Sequence, residues 1–132
     1  MQLPTEVSVT PNVDQAALDK ALAGLQRLRH EIGRVVLGQE EVVDQLLIGL
    51  VSGGHVLLEG APGLGKTLLV RTVSVAAGLQ FARVQFTPDL MPADVTGTMV
   101  LLRDEQGSGR LEFQPGPIFT QLLLADEINR AT

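Results

Sequence analysis

Apolar residues recur at three- and four-residue steps from Leu18 through Leu22, Leu25, Leu28 and Ile32 to Val35, while Lys20, Arg27, Arg29, Glu31 and Arg34 fall largely off that stripe. This is the period of an amphipathic helix lying on a core, and it predicts one beginning at Asp14. His30 belongs to the charged run and has no second ligand at metal spacing, so it reads as a solvated side chain. Val36, Leu37, Gly38 and Gln39 break the pattern. A second helix then opens on Glu40 and Glu41, acids placed where the helix dipole favours them. Its apolar pairs are Val42 with Val43, Leu46 with Leu47 and Leu50 with Val51, and Ser52, Gly53 and Gly54 stop it.

The period then changes. Residues 55–59 (HVLLE) form a short apolar run suited to a buried strand, with His55 at its mouth as a structural residue. A glycine-rich stretch follows at 60–67, then a helical run at 68–77 closed by Gly78. Residues 81–86 alternate enough for a second strand, and Pro88, Pro92 and Gly97 forbid a single regular element over 87–97. Two arms at 98–103 and 110–114 flank a polar turn, and Leu111 and Phe113 alternate with Arg110, Glu112 and Gln114. These predict a β-hairpin over 98–114 with one buried face. Pro115, Gly116 and Pro117 close it, and 118–121 has room for a short helical turn. Leu122, Leu123, Leu124 and Ala125 suit a strand buried on both faces, with Asp126 and Glu127 where it emerges. Residues 1–13 have neither helical period nor pairing partner and read as a flexible tail before a single nucleotide-binding unit at 14–132.

Composition narrows the class. A chain of 132 residues that is 45% apolar has room for one domain with a real core. A net charge of -5 makes it no electrostatic match for nucleic acid. Between residues 60 and 83, however, Lys66, Arg71 and Arg83 occur with no acid, which favours a small anionic ligand there. The absence of cysteine excludes disulfides and thiolate metal sites and fits a reducing cytosol. Residues 1–13 lack the features of a signal peptide, and no run approaches the roughly 20 apolar residues of a membrane span. The expectation is a soluble, cytoplasmic protein.

Residues 60–67 (GAPGLGKT) match G-x-x-x-x-G-K-[ST] at every fixed position, in the strand, loop and helix context that a phosphate-binding loop requires. In such a loop the glycines let the backbone aim N–H groups at phosphate oxygens, and the helix N-terminus adds positive potential. Gly60, Ala61, Pro62, Gly63, Leu64, Gly65, Lys66, Thr67 and Leu68 are the candidate nucleotide contacts. Lys66 would reach the β and γ phosphates, and the Thr67 hydroxyl would be a ligand of Mg²⁺. Phosphoryl transfer also needs an acid to hold the metal and a group to orient the attacking water. Adjacent residues on a strand point to opposite sides, so Asp126 is the candidate metal ligand and Glu127, with Lys66, the candidate catalytic group. A rival motif, Asp104, Glu105, Gln106 and Gly107, spells the D-x-x-G of GTPases, but no guanine-reading N-K-x-D follows and these residues are ordinary turn formers. Two other readings stay open: a non-catalytic nucleotide-binding regulatory or interaction module, and a P-loop kinase acting on a small acceptor.

Beyond the loop itself, the chain resembles the MoxR group of AAA+ ATPases. The resemblance is carried by 36–40 (VLGQE), 55–67 (HVLLEGAPGLGKT), 85–90 (QFTPDL), 94–98 (DVTGT), 116–119 (GPIF) and 123–131 (LLADEINRA), and so covers nearly everything after the first helix. It implies an α/β, three-layer P-loop fold with a parallel sheet, truncated after Walker B, and ATP and Mg²⁺ as cofactors. Residues 60–67 would be Walker A and 122–127 Walker B. Val36, Leu37, Gly38 and Gln39 would line the adenine pocket. The hairpin would be the family's insertion facing a ring pore, and Gln85 or Thr87 would hold Glu127 until a partner engages. It further implies ATP hydrolysis by a chaperone-like remodeller, a ring-forming homo-oligomer, a hexamer, and a protein substrate or von Willebrand factor A-type partner. Sensor 1, the arginine finger and the lid would lie beyond Thr132. In the family's sheet order, 5-1-4-3-2, one strand separates the Walker A strand from the Walker B strand. Without it, the expectation is that these two either pair directly or that the Walker B strand is displaced, with little hydrolysis in the chain as it stands.

Overall fold

The computed structural model describes residues 14–61, 63–103 and 109–131. The expected tail at 1–13, Pro62 and the hairpin tip at 104–108 lie outside the described residues. The first helix, α1 (Gln15–Gly33), is capped by Asp14, whose carboxylate accepts from the Ala16 amide at 3.0 Å. Its apolar stripe is only half used. Leu18 and Leu22 are exposed, and the helix meets the core from Leu28 to Ile32. It lies beside α2 (Glu40–Val51), and Arg29 forks onto both carboxylate oxygens of Asp44 across that contact. The third helix, α3 (Lys66–Ala77), begins at Lys66 and is closed by Gly78 at φ 66°. Ile32, Val36, Val43, Leu46, Leu47, Leu69, Val70 and Val73 interlock as the buried cluster, so the core is built by the three helices.

Two strands join that core. β1 (Phe81–Gln85) and β4 (Leu122–Asp126) pair in parallel, in register from Phe81 opposite Leu122 to Gln85 opposite Asp126. Thr120 and Gln121 stitch the entry of β4 to Gln80: the Thr120 hydroxyl donates to the Gln80 carbonyl at 2.9 Å, and the Gln80 amide donates to Gln121 Oε1 at 2.8 Å. Phe81, Leu122 and Leu124 pack on the helical cluster. By the two-residue period of a strand, Arg83, Gln85 and Asp126 continue the same face toward the carboxyl ends. β4 is half-buried along its length, not buried on both faces as its leucines suggested.

The strand expected at 55–59 does not form. Leu58 is half-buried against the core, but Leu57 is 76% exposed. A strand needs a neighbour to take its backbone hydrogen bonds, and β4, the expected direct or displaced partner, is paired with β1 instead. This pairing follows the 3-2 step of the family's order, and leaves 55–59 apart from β4. The segment is held by a local fit: a Cβ on Gly49 of α2 would overlap Val56 Cγ2.

Between β1 and β4 the chain makes α4 (Pro92–Thr96), started by Pro92 and by Asp94, whose carboxylate accepts from the Met91 amide at 2.9 Å. β2 (Gly97–Arg103) and β3 (Gly109–Pro115) follow as the expected hairpin, antiparallel, with Met99 opposite Phe113 and Leu101 opposite Leu111. These four share one face, yet all are exposed, so the face expected to be buried has no cover among the described residues. Phe113 meets Phe119 edge to face, with ring centroids 5.9 Å apart. At the base Gly97 and Gly116 approach so closely that a Cβ on either would strike backbone of the other's segment, and Gly97 also stands at φ 95°.

Candidate functional site

The loop at 60–65 is shaped by Gly63 at φ 84° and Gly65 at φ 75°, backbone that side-chain-bearing residues rarely adopt. Gly65 delivers the chain directly into α3, whose first N–H groups have no partner within the helix and face the loop end. Lys66 folds back across the loop, its ammonium donating to the Gly60 carbonyl at 2.8 Å and the Ala61 carbonyl at 3.0 Å. Thr67 stands half-buried beside it in the first turn, and Leu68 faces solvent. A lysine, a helix N-terminus and a permissive loop therefore converge, which is the arrangement that receives an anion.

The stretch before α2 divides in its behaviour. Val36 is committed to the core, Leu37 is 78% exposed, and Gly38 turns the chain at φ 73°. Gln39 alone reaches the loop, its side-chain amide donating to the Leu64 carbonyl at 3.3 Å. A shallow depression of about 440 Å³ opens between α1 and α2, lined by Arg29, Arg34 and Glu40 among others. It shares only Val36 with the expected adenine contacts and lies away from the phosphate loop residues.

At the carboxyl ends of the strands, both candidate acids are held by arginines. Arg83 of β1 donates from Nε at 3.1 Å and from Nη2 at 2.8 Å to the same oxygen, Oδ2, of Asp126, and Nη2 also donates to Gln85 Oε1 at 3.2 Å. Glu127 leaves the strand at φ 55°, the one non-glycine residue with positive φ among the described residues. Its Oε2 is shut from solvent 3.0 Å from Arg130 Nε, close enough for charge attraction but without an aligned hydrogen bond. Among the described residues no hydrogen bond or ion pair joins Asp126 or Glu127 to Lys66 or Thr67. Gln85 and Thr87 do not hold Glu127 here: Gln85 accepts from Arg83, and Thr87 hydrogen-bonds Asp89, holding the Asp89 carboxyl below its ordinary range.

Arg83 and Arg130 are the residues that sequence reasoning missed. Arg83 was visible only as part of a local positive balance, and Arg130 only as the sixth letter of ADEINRA. Their charge partners come from strand pairing and from a left-handed turn, which letters alone do not reveal.

The profile described as "ATPase family associated with various cellular activities (AAA)" matches residues 55–132. Chaperone MoxR1 of Mycobacterium tuberculosis is 48% identical over 107 residues, covering 81% of this chain and 28% of that protein. The chain belongs to the MoxR family of AAA+ ATPases. Protein MoxR of Methylorubrum extorquens is 37% identical over 110 residues, covering 80% of this chain and 31% of the relative. A crystal structure of a candidate ATPase from Cytophaga hutchinsonii matches with a TM-score of 0.73 and 44% identity, covering 89% of this chain and 36% of the other. The α/β architecture is thus that of a P-loop ATPase, and this MoxR-family chain spans about a third of the length of the relatives it matches. No helix among the described residues is long and apolar enough to cross a membrane.

Thr67 and Asp126 offer hard oxygen donors, the type Mg²⁺ selects, and the guanidinium already on Asp126 marks that carboxylate as a cation partner. No group of three or more His, Cys, Asp or Glu that could hold a metal occurs among the described residues.

Proposed function

We propose that residues 60–67 bind Mg-ATP, and that Lys66, Asp126 and Glu127 serve its hydrolysis in the whole protein. One observation carries this reading. Lys66 is tethered by two carbonyls of the loop at the N-terminus of α3, where a phosphate would replace those carbonyls as its partner. The backbone amides of 63–67 bind and orient the phosphates, Thr67 and Asp126 hold the metal, and Glu127 orients the attacking water. Bound Mg²⁺ supplies charge neutralisation on the β and γ phosphates. The hydrogen bond from Gln39 to the Leu64 carbonyl ties the preceding stretch to the loop and supports an adenine site at Val36, Leu37, Gly38 and Gln39.

Lys66→Ala removes a charge-assisted contact of about 1.5–3 kcal/mol, and a loss of about tenfold or more in nucleotide affinity is expected by titration calorimetry. Glu127→Gln keeps that affinity and loses phosphate release. Equal affinity in the Lys66→Ala variant and the unsubstituted chain would remove the assignment.

A second reading, nucleotide binding without turnover in this chain, is favoured by the arginines on both acids. Bound nucleotide with no phosphate released under any Mg²⁺ concentration selects it. For the whole protein we propose a cytoplasmic, chaperone-like remodelling ATPase that acts as a ring, a hexamer, on a protein substrate or with a von Willebrand factor A-type partner. The family resemblance and the name of the mycobacterial relative support this. Mass photometry of the full-length protein with ATP tests the ring.

A further inference from the structure

We propose that Arg83 is a positioning residue that holds Asp126 as an internal substitute cation and so sets how much Mg²⁺ is needed for Mg-nucleotide to bind. The inference rests on the Mg-ATP reading above and concerns a residue that the motif does not contain. Three features of the pair carry it. First, the contact is two-pronged but uses one oxygen: Nε and Nη2 of Arg83 both donate to Oδ2 of Asp126, at 3.1 and 2.8 Å. Second, the pair is reachable by a hydrated ion, with the arginine side chain 43% exposed and the aspartate 23%. Such a pair is only weakly stabilising, so an incoming cation can displace it. Third, the guanidinium has a place to go. Nη2 already donates to Gln85 Oε1 at 3.2 Å on the same strand face, so an arginine that leaves Asp126 keeps a partner.

The register fixes this competition. Gln85 stands opposite Asp126 and Arg83 opposite Leu124, so the arginine is one strand repeat behind the acid on the same face and reaches forward to it. A cation at Asp126 therefore competes with the guanidinium already on Oδ2. The arginine keeps the carboxylate oriented while no metal is bound, and raises the metal concentration at which Mg-nucleotide takes over.

The test is a Mg²⁺ titration of ATP binding by the 132-residue chain, followed by calorimetry, alongside Arg83→Gln and Arg83→Lys. Arg83→Gln is expected to lower the half-saturating Mg²⁺ by about three- to tenfold, the effect of removing one exposed, hydrogen-bonded charge competitor. ATP affinity in EDTA stays unchanged, and Arg83→Lys, which keeps the charge, stays closer to the parent. An unchanged or raised midpoint in Arg83→Gln overturns the proposal while leaving the Mg-ATP reading intact. Failure of the parent chain to bind ATP at all overturns both.

A second measurement needs no variant and so survives any folding defect. The Arg83 Nε–H resonance of the ¹⁵N-labelled chain is expected to shift on saturation with Mg-ATP and not with ATP in EDTA. A resonance that ignores Mg²⁺ overturns the proposal.

Discussion

Glu127, the residue proposed to orient the attacking water, has an uncomfortable backbone. At φ 55° and ψ 39° its Cβ crowds the following carbonyl, a cost of roughly 1–2 kcal/mol for a residue other than glycine. The turn it makes brings Arg130 alongside in the short 3-10 segment Ile128–Arg130. Comparing two variants that both lack the carboxylate isolates the strain. Glu127→Gly is expected to be about 1 kcal/mol more stable than Glu127→Ala in urea unfolding, against the usual order in regular structure. Asp89 gives a pH signature. The Thr87 hydroxyl, and then its own backbone amide, hold its carboxyl below the ordinary 3.8. A carboxyl depressed on folding contributes stability that is present above its unfolded value and is lost as pH falls through its folded value. A ¹³C titration of Asp89 should therefore give a midpoint under that of a free aspartate, and Thr87→Val should move it upward.

The elements differ in how firmly they are held. Leu69 on α3 is fully buried, and Leu69→Ala is expected to cost about 2–5 kcal/mol. The extended stretch at 55–59 depends on a small residue opposite. Gly49→Ala forces Val56 aside and should cost about 1–3 kcal/mol, with most of the loss recovered when Val56→Ala is added. The hairpin behaves otherwise. Leu101 and Leu111 pair across it with their outer faces in solvent, so replacing both with threonine should change stability by less than about 1 kcal/mol. The three main helices and the hairpin were legible because each repeats a local period: 3.6 residues for α1 and α2, two for β3. Residues 55–59 misled because three apolar letters say that a segment can be buried, not that a neighbouring strand exists to bury it.

At the scale of the whole molecule, the protected region is the three-helix cluster, with the parallel pair leaning on it and the hairpin standing outside. Amide exchange should follow that order, slowest in α2 and α3, intermediate in β1 and β4, and fastest in β2 and β3. Equal protection in the hairpin and α3 would mean that the exposed face of Met99, Leu101, Leu111 and Phe113 is covered in solution. The two halves of the candidate site follow the same division. The form of the candidate phosphate loop was readable because its requirements are local: permissive glycines, a lysine and a helix start lie within eight consecutive residues, 60–67. That stretch determined the loop's form, while the family was legible only with the stretches around it, 36–40, 85–90, 94–98, 116–119 and 123–131. Only the tertiary structure decided the company of Asp126. Arg83 is 43 residues from Asp126 in sequence, and parallel pairing of β1 with β4 brings them onto one face. A local motif can specify its own backbone, but the partner of a charge at a strand end depends on which strand lies alongside, and that is set by the packing of the whole chain.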